Sequence, residues 1–171
     1  MADLRPSIDT FRRLGHHQTV YDWGISFIGL PELLTGFDSS DLNTRCTSAQ
    51  LPSRNIQEIE LNMRGHKIYQ HGIVNYGNDL TLNLYETTDQ KVGNFLNAWM
   101  DMQWSPIVGA QVPKMANQCA FLLTLLDSEN KAKKYYTIIG AWLKGWNQVE
   151  LGSNQSDVIT YQCQFKFDYY L

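Results

Sequence analysis

Apolar and polar residues alternate with a period of two along most of the chain, and a helical period takes over in one stretch only. From Val20 to Leu34 the run containing YDWGISFIGLPELL places Trp23, Ile25 and Phe27 two apart before Gly29 and Pro31 interrupt, the pattern of a strand entering a turn. Past the polar stretch Gly36 to Asn43, the residues Ile59, Leu61 and Met63 alternate with Glu58, Glu60 and Asn62, which predicts a half-buried strand with one wet face. Arg64-Gly65 follows directly. Glycine supplies the positive φ of a tight hairpin, so His66 to Val74 is predicted to fold back antiparallel. Gly77-Asn78 marks another turn, and Leu80, Leu82 and Leu84 then alternate with Thr81, Asn83 and Tyr85, so these three strands read as a meander.

The helical stretch comes next. Thr87 is placed to cap it and Gln90 to close a capping box, while Val92, Phe95, Leu96, Trp99 and Met102 share one stripe, predicting an amphipathic helix over about residues 88–103 packed on a sheet. Trp104, Pro106 and Gly109 end it and open a linker to Pro113. Beyond that, Cys119 to Leu126 is almost continuously apolar and Tyr135 to Leu143 is rich in aromatic and β-branched residues. Val158 to Tyr169 alternates, with Ile159, Tyr161, Cys163, Phe165, Phe167 and Tyr169 on one face. The fold class that follows is mainly β, an antiparallel barrel or sandwich of about seven or eight strands with one inserted α-helix. Residues 1–18, polar and basic around Arg12-Arg13 and His16-His17, read as an N-terminal arm, and residues 19–171 as a single β domain.

Composition narrows the function. A chain of 171 residues with 43% hydrophobic and 18% charged residues can enclose one real core and is too apolar for disorder. A formal charge of -3 disfavours a dedicated nucleic-acid clamp. No apolar run approaches the roughly 20 residues of a membrane span, and the opening MADLRPSIDTFRRLGHH lacks the apolar centre of a secretory signal, so the expected product is soluble and cytosolic at synthesis. Cys46, Cys119 and Cys163 are an odd set without CxxC spacing and read as small apolar residues, not as a disulfide framework or zinc knuckle.

Catalytic signatures are sparse. Adjacent His16 and His17 point to opposite sides of an extended segment, and His66 and His71, five apart, lie on opposite strand faces, so neither pair holds one metal. No GxSxG elbow surrounds Ser26, Ser39, Ser40 or Ser105, and no phosphate-binding glycine loop occurs. Glu58 and Glu60 share a face about 7 Å apart, a spacing compatible with glycoside hydrolysis, although wet strand faces carry such residues routinely. Trp99 reads as core; Trp142 and Trp146 with Tyr135 and Tyr136 read as core or as an interface. No enzyme, cofactor or metal site is predicted. A carbohydrate-binding or hydrolytic β domain built on Glu58, Glu60 and exposed tryptophan stays as the alternative of another class.

The succession of segments carries more than any single motif. YDWGISFIGL, then RCTSAQLPSRNIQEIELNMRGHKIYQHG with its Cys, LP pair and hairpin, then LTLNLYE and the helix DQKVGNFLNAW, lead to a closing stretch with GAW, VELG and a terminal FDYYL. In order, spacing and length this resembles the tail tube proteins of contractile-tailed bacteriophages, from Tyr21 to Leu171. The resemblance implies a structural virion protein whose homohexameric rings stack into an inner tail tube through which DNA is ejected. It implies as partners further copies of itself, a tail sheath protein, baseplate and tail terminator proteins, a tape measure protein inside the tube and DNA in non-specific transit, with no membrane insertion. The location implied is the virion, after assembly in the host cytoplasm. A tube-initiating baseplate protein, or a tube subunit of a type VI secretion system or phage-derived bacteriocin, is the rival within that class.

Such a tube needs a channel wall that does not hold phosphate, so a neutral or acidic lining is expected. Glu58, Glu60 and Asn62, with Thr81 and Asn83 as second choices, are the lumen-facing candidates. Alternation identifies their faces as wet without saying whether the water is that of a channel or of the outer surface. Ring stacking is assigned to the hairpin tip Met63, Arg64, Gly65, His66 and Lys67, with Leu4 to Leu14 and Pro106 to Pro113 in support.

Overall fold

The computed structural model describes residues 18–105, 107, 109–147, 149–152 and 157–171. The predicted arm therefore lies outside the described residues except for Gln18. The strands are β1 (Trp23–Ile28), β2 (Cys46–Ala49), β3 (Asn55–Met63), β4 (His66–Asn75), β5 (Asp79–Tyr85), β6 (Trp104–Ser105), β7 (Ala110–Gln111), β8 (Cys119–Leu126), β9 (Ala132–Trp146), β10 (Thr160–Lys166) and β11 (Tyr169–Tyr170). The helices are α1 (Ser39–Arg45), α2 (Lys91–Gln103) and α3 (Lys114–Asn117), with a 3-10 turn at Glu32–Leu34.

Seven strands form one antiparallel sheet in the order β1-β8-β9-β10-β5-β2, with β11 also on β9. The mainly β, antiparallel reading holds, and the sheet is open: β1 and β2 are its margins and do not close into a barrel. The predicted meander is not formed. β5 leaves the β3–β4 hairpin and pairs with β2 and β10, because a period of two specifies which face of a strand is apolar and not which strand lies beside it.

The long strand β9 joins the two halves of the sheet. Its first part pairs with β8 as far as Ala141 and its last part, from Trp142, with β10, and Gly140 sits at the irregularity of the β8 pairing between Ile138 and Ala141 with φ 70°, a left-handed conformation that side chains disfavour. A Cβ there would also lie 2.2 Å from Asp168 Oδ2. Across β9, the chain kinks at Phe167 and Asp168 between β10 and β11. The kink resets the alternation, so Tyr170 and not Tyr169 packs inward, edge-on to Tyr76 and Tyr136.

The predicted helix exists as α2, three residues shorter at its start, and its stripe Val92, Phe95, Leu96, Trp99 and Met102 is buried. It meets the strand residues Phe27, Phe121, Leu82, Leu84 and Phe165 in one core. Edge-to-face contacts run from Phe27 to Phe121 (4.9 Å between centroids), Phe121 to Phe165 (5.0 Å) and Phe95 to Trp99 (5.4 Å), each worth about 0.5–1.5 kcal/mol beyond burial. Trp99 also donates its indole N–H to the carbonyl of Asn117 at 3.1 Å, so its one polar atom is satisfied in the core.

The capping box does not form. Gln90 adopts φ 52° and makes no side-chain cap, and Thr87 hydrogen-bonds Asp89 instead. The cap comes from Glu86, whose buried carboxylate accepts the backbone N–H groups of Thr87 (3.0 Å), Val92 (3.3 Å) and Gly93 (2.6 Å). An anion at this end also meets the positive end of the helix dipole. Arg45, at the end of α1, lies 3.7 Å from Glu86, 3.0 Å from Asp41 and 3.3 Å from Asp89, and donates to the Thr87 hydroxyl at 2.7 Å. It ties α1 to the loop before α2.

Candidate assembly surfaces

The β3–β4 hairpin is a two-stranded sheet of its own, and apart from half-buried Gly72 every residue in its strands is exposed. The half-buried strand expected from alternation is thus corrected: nothing in the described chain covers either face. The turn is the one expected, with Arg64 at φ 48° and Gly65 at φ 84°, the two positive values of a tight hairpin whose twist matches its strands.

Register sorts this ribbon into two unlike faces. Leu61 opposes Ile68, Ile59 opposes Gln70 and Met63 opposes His66, so Ile59, Leu61, Met63 and Ile68 form an apolar flank. The other flank carries Glu58 opposite His71, Glu60 opposite Tyr69 and Asn62 opposite Lys67. Lys67 forms an ion pair with Glu60 at 2.8 Å, which leaves this flank close to neutral. An isolated two-stranded ribbon is marginal in water. Ile59, Leu61, Met63 and Ile68 keep 46%, 37%, 61% and 46% of their surface exposed, so covering each would gain roughly half of the ~1.5–3 kcal/mol of full burial.

The lumen candidates fall on two different sheets. Glu58, Glu60 and Asn62 share the polar flank of the ribbon, whereas Thr81 and Asn83 alternate with the buried Leu80, Leu82 and Leu84 on β5 and face outward from the main sheet. There Asn83 stands between Ser48 on β2 and Gln162 on β10, and Thr81 lies opposite Gln164. Asn83 donates to the Ser48 hydroxyl at 2.8 Å, and its buried Oδ1 has no hydrogen-bond partner among the described residues. Ser48, Gln162 and Gln164 extend an uncharged hydroxyl and amide field that alternation hinted at for β10, but only the strand order joins it to β5. The tip candidates Met63, Arg64, Gly65, His66 and Lys67 are all exposed at the far end of the ribbon, and Arg64 has no ion pair among the described residues.

No cluster of three or more His, Cys, Asp or Glu side chains among the described residues is arranged to hold a metal. His66 and His71 sit on opposite flanks of the ribbon, as their spacing predicts, and His16 and His17 lie outside the described residues. All three cysteines are free. Burial pushes the thiols of Cys46 and Cys163 up to about 12 and raises that of Cys119 as well, which disfavours the thiolate form. No described helix is long and apolar enough to cross a membrane.

Among the described residues the sheet is open at β1 and β2, and the amphipathic ribbon packs on no other element. Residues 18–171 match the phage tail tube protein family, and the chain belongs to that family, which is one of structural tail components. Its fold is shared with solved structures of contractile injection systems. One is in the anti-feeding prophage baseplate, 6-fold symmetrised, at TM-score 0.64 and 11% identity, covering 92% of this chain and 95% of that one. A second is in the sheath/tube terminator of an extracellular contractile injection system, PVC, in the extended state, at TM-score 0.65 and 11% identity, covering 92% and 97%. The PVC sheath-tube complex contains a third, at TM-score 0.62 and 11% identity, covering 96% of each chain. No curated protein matches the sequence.

Proposed function

We propose that this chain is the subunit of the inner tube of a contractile phage tail, forming homohexameric rings that stack around a channel for DNA ejection. The observation that carries the reading is the β3–β4 ribbon, folded yet covered on neither flank. An apolar flank that costs free energy in water is stabilised once it lies on another copy, and the opposite flank with Glu58, Glu60 and Asn62 then faces the channel water. Thr81 and Asn83 continue the wall as an uncharged surface. The Glu60–Lys67 pair makes the lining neutral to mildly acidic, a surface that offers phosphate little to hold.

Lateral growth uses the unpaired margins of the sheet at β1 and β2, so that ring closure removes exposed strand edges. Stacking uses the tip Met63 to Lys67. The outer surface meets a sheath protein, the ends meet baseplate and terminator proteins, and a tape measure protein occupies the bore before DNA does. Likeness to a chain of the anti-feeding prophage baseplate favours one second reading, a baseplate protein that starts the tube. In either case the particle, a phage tail, is the place of work.

Negative-stain imaging of the purified chain, alone and with baseplate seeds, tests the reading. Unlimited rods of uniform diameter support the tube subunit; single rings or short caps that never elongate support the initiator; dispersed monomers under both conditions overturn both. Charge reversal of Glu58 and Glu60 to Lys permits assembly and slows DNA ejection in this account, and unaltered ejection would remove the two residues from the channel wall.

A further inference from the structure

We infer that the hairpin tip of one copy docks in a groove at the opposite end of β5 in a second copy, an assignment that rests on the tube reading and adds the receiving surface to it. The groove has a volume of about 770 Å³ and lies where β5 and β9 end and β10 begins, walled by Glu86, Trp146, Leu151, Ile159 and Tyr161. A smaller recess of about 260 Å³ shares Leu151 and Ile159 with it and adds Glu150 and Asp157. Leu151 is 79% exposed and Val158 64%, so the outer lip is apolar and uncovered.

Three features point to a second copy as the occupant. The first is position: the ribbon returns to the sheet at Asn75, just before β5 begins at Asp79, and the groove begins at Glu86, just after β5 ends at Tyr85. Ribbon root and groove are therefore separated by the length of a seven-residue strand, about 20 Å, at opposite ends of the subunit's sheet. A contact between unlike ends of identical subunits does not saturate in a pair and propagates from copy to copy.

The second feature is charge. The tip carries Arg64, His66 and Lys67, and Arg64 has no ion-pair partner; Glu150 and Asp157 at the groove likewise have none among the described residues. Opposite charges left unpaired on two exposed surfaces of one chain set the direction in which copies approach. The third is polarity. Met63, 61% exposed beside the turn, is an unbranched side chain that adapts to irregular cavities, and Trp146, Leu151 and Ile159 supply apolar walls for it. Glu86 is already saturated by three backbone N–H groups and serves as wall, leaving Glu150 and Asp157 to meet the basic turn.

The test is directed cross-linking between two single variants, Met63→Cys and Leu151→Cys, both at exposed positions. Each is purified, the two are mixed, assembled and oxidised, and the products are read by non-reducing electrophoresis and negative stain. The expected result is rods together with a disulfide-linked dimer in the mixture and none in either variant alone. A second arm uses Arg64→Glu, expected to lower the polymerised fraction at least about tenfold, with recovery when Glu150 and Asp157 are changed to Arg in the partner copies. Rods without the disulfide and without charge-swap recovery would overturn this docking site while leaving the tube reading intact. Absence of rods and rings in the unmodified chain, seeded or not, would overturn the tube reading and this inference with it.

Discussion

The carboxylate of Glu86 accepts the backbone N–H of Gly93 at 2.6 Å, closing the first turn of α2 from a residue that precedes the helix by five positions. A glycine inside a helix costs about 1 kcal/mol relative to alanine, and here close approach accounts for it. A Cβ on Gly93 would sit 3.3 Å from Glu86 Oε2 and 3.2 Å from the Tyr161 hydroxyl. Replacing Glu86 by Ala strips the cap and leaves Arg45 without one of its anions. The expected loss is about 2–3 kcal/mol of unfolding free energy, measured by urea denaturation. Gly93→Ala is expected to be neutral or mildly destabilising despite its better propensity, because the new methyl crowds the cap.

Gly140 gives a second, independent prediction. The substitution Gly140→Ala forces a side chain into φ 70° and drives Asp168 from its place beside Lys114, which it contacts as an ion pair. Backbone strain dominates, since the pair is exposed, and a loss of about 1–2 kcal/mol is expected in thermal unfolding. Asp168→Ala combined with Gly140→Ala relieves the clash and not the strain, so the double variant recovers only a minor part of that loss.

Asp89 sets a pH dependence. Its carboxyl is held down from 3.8 to about 2, chiefly by the hydrogen bond from Thr87, with burial opposing and the Lys91 N–H, Arg45 and Lys91 charges adding to it. A carboxyl with a lower value in the folded state adds stability above the unfolded value of 3.8, and that contribution fades as pH falls toward 2. Wild-type protein and the Asp89→Asn variant should therefore differ in urea midpoint at pH 6 and converge by about pH 2. Thr87→Val should shift the fading upward in pH, read by the same titration.

Much of this fold was legible because burial imposes a period. The stripe from Val92 to Met102, the alternation of Leu80, Leu82 and Leu84 and the turn at Arg64-Gly65 each state a local requirement that the three-dimensional chain meets. Partner choice was not legible. Alternation in β3 announces an apolar flank at Ile59, Leu61 and Met63 without naming what covers it, and within the described chain nothing does. The same gap hid the pairing of β5 with β10, and with it the polar field joining Asn83 to Gln162. Glu86 was invisible for a different reason: an acid before a helix is common, and only its burial beside the α2 N–H groups distinguishes it. The apolar alternation of the last strand runs through Tyr169 in sequence but ends at Phe167 in the fold, because the kink at Phe167 and Asp168 leaves no mark in residue type.

Whether another copy covers the apolar flank of the ribbon is tested by assembly of a chain with Leu61 and Ile68 both changed to Asp. These residues contribute nothing to the described core, so thermal unfolding should stay within about 1 kcal/mol of the parent. Electron microscopy under conditions where the parent forms rods should then show only dispersed, folded subunits. Rods of normal diameter and length from the same variant would contradict the account.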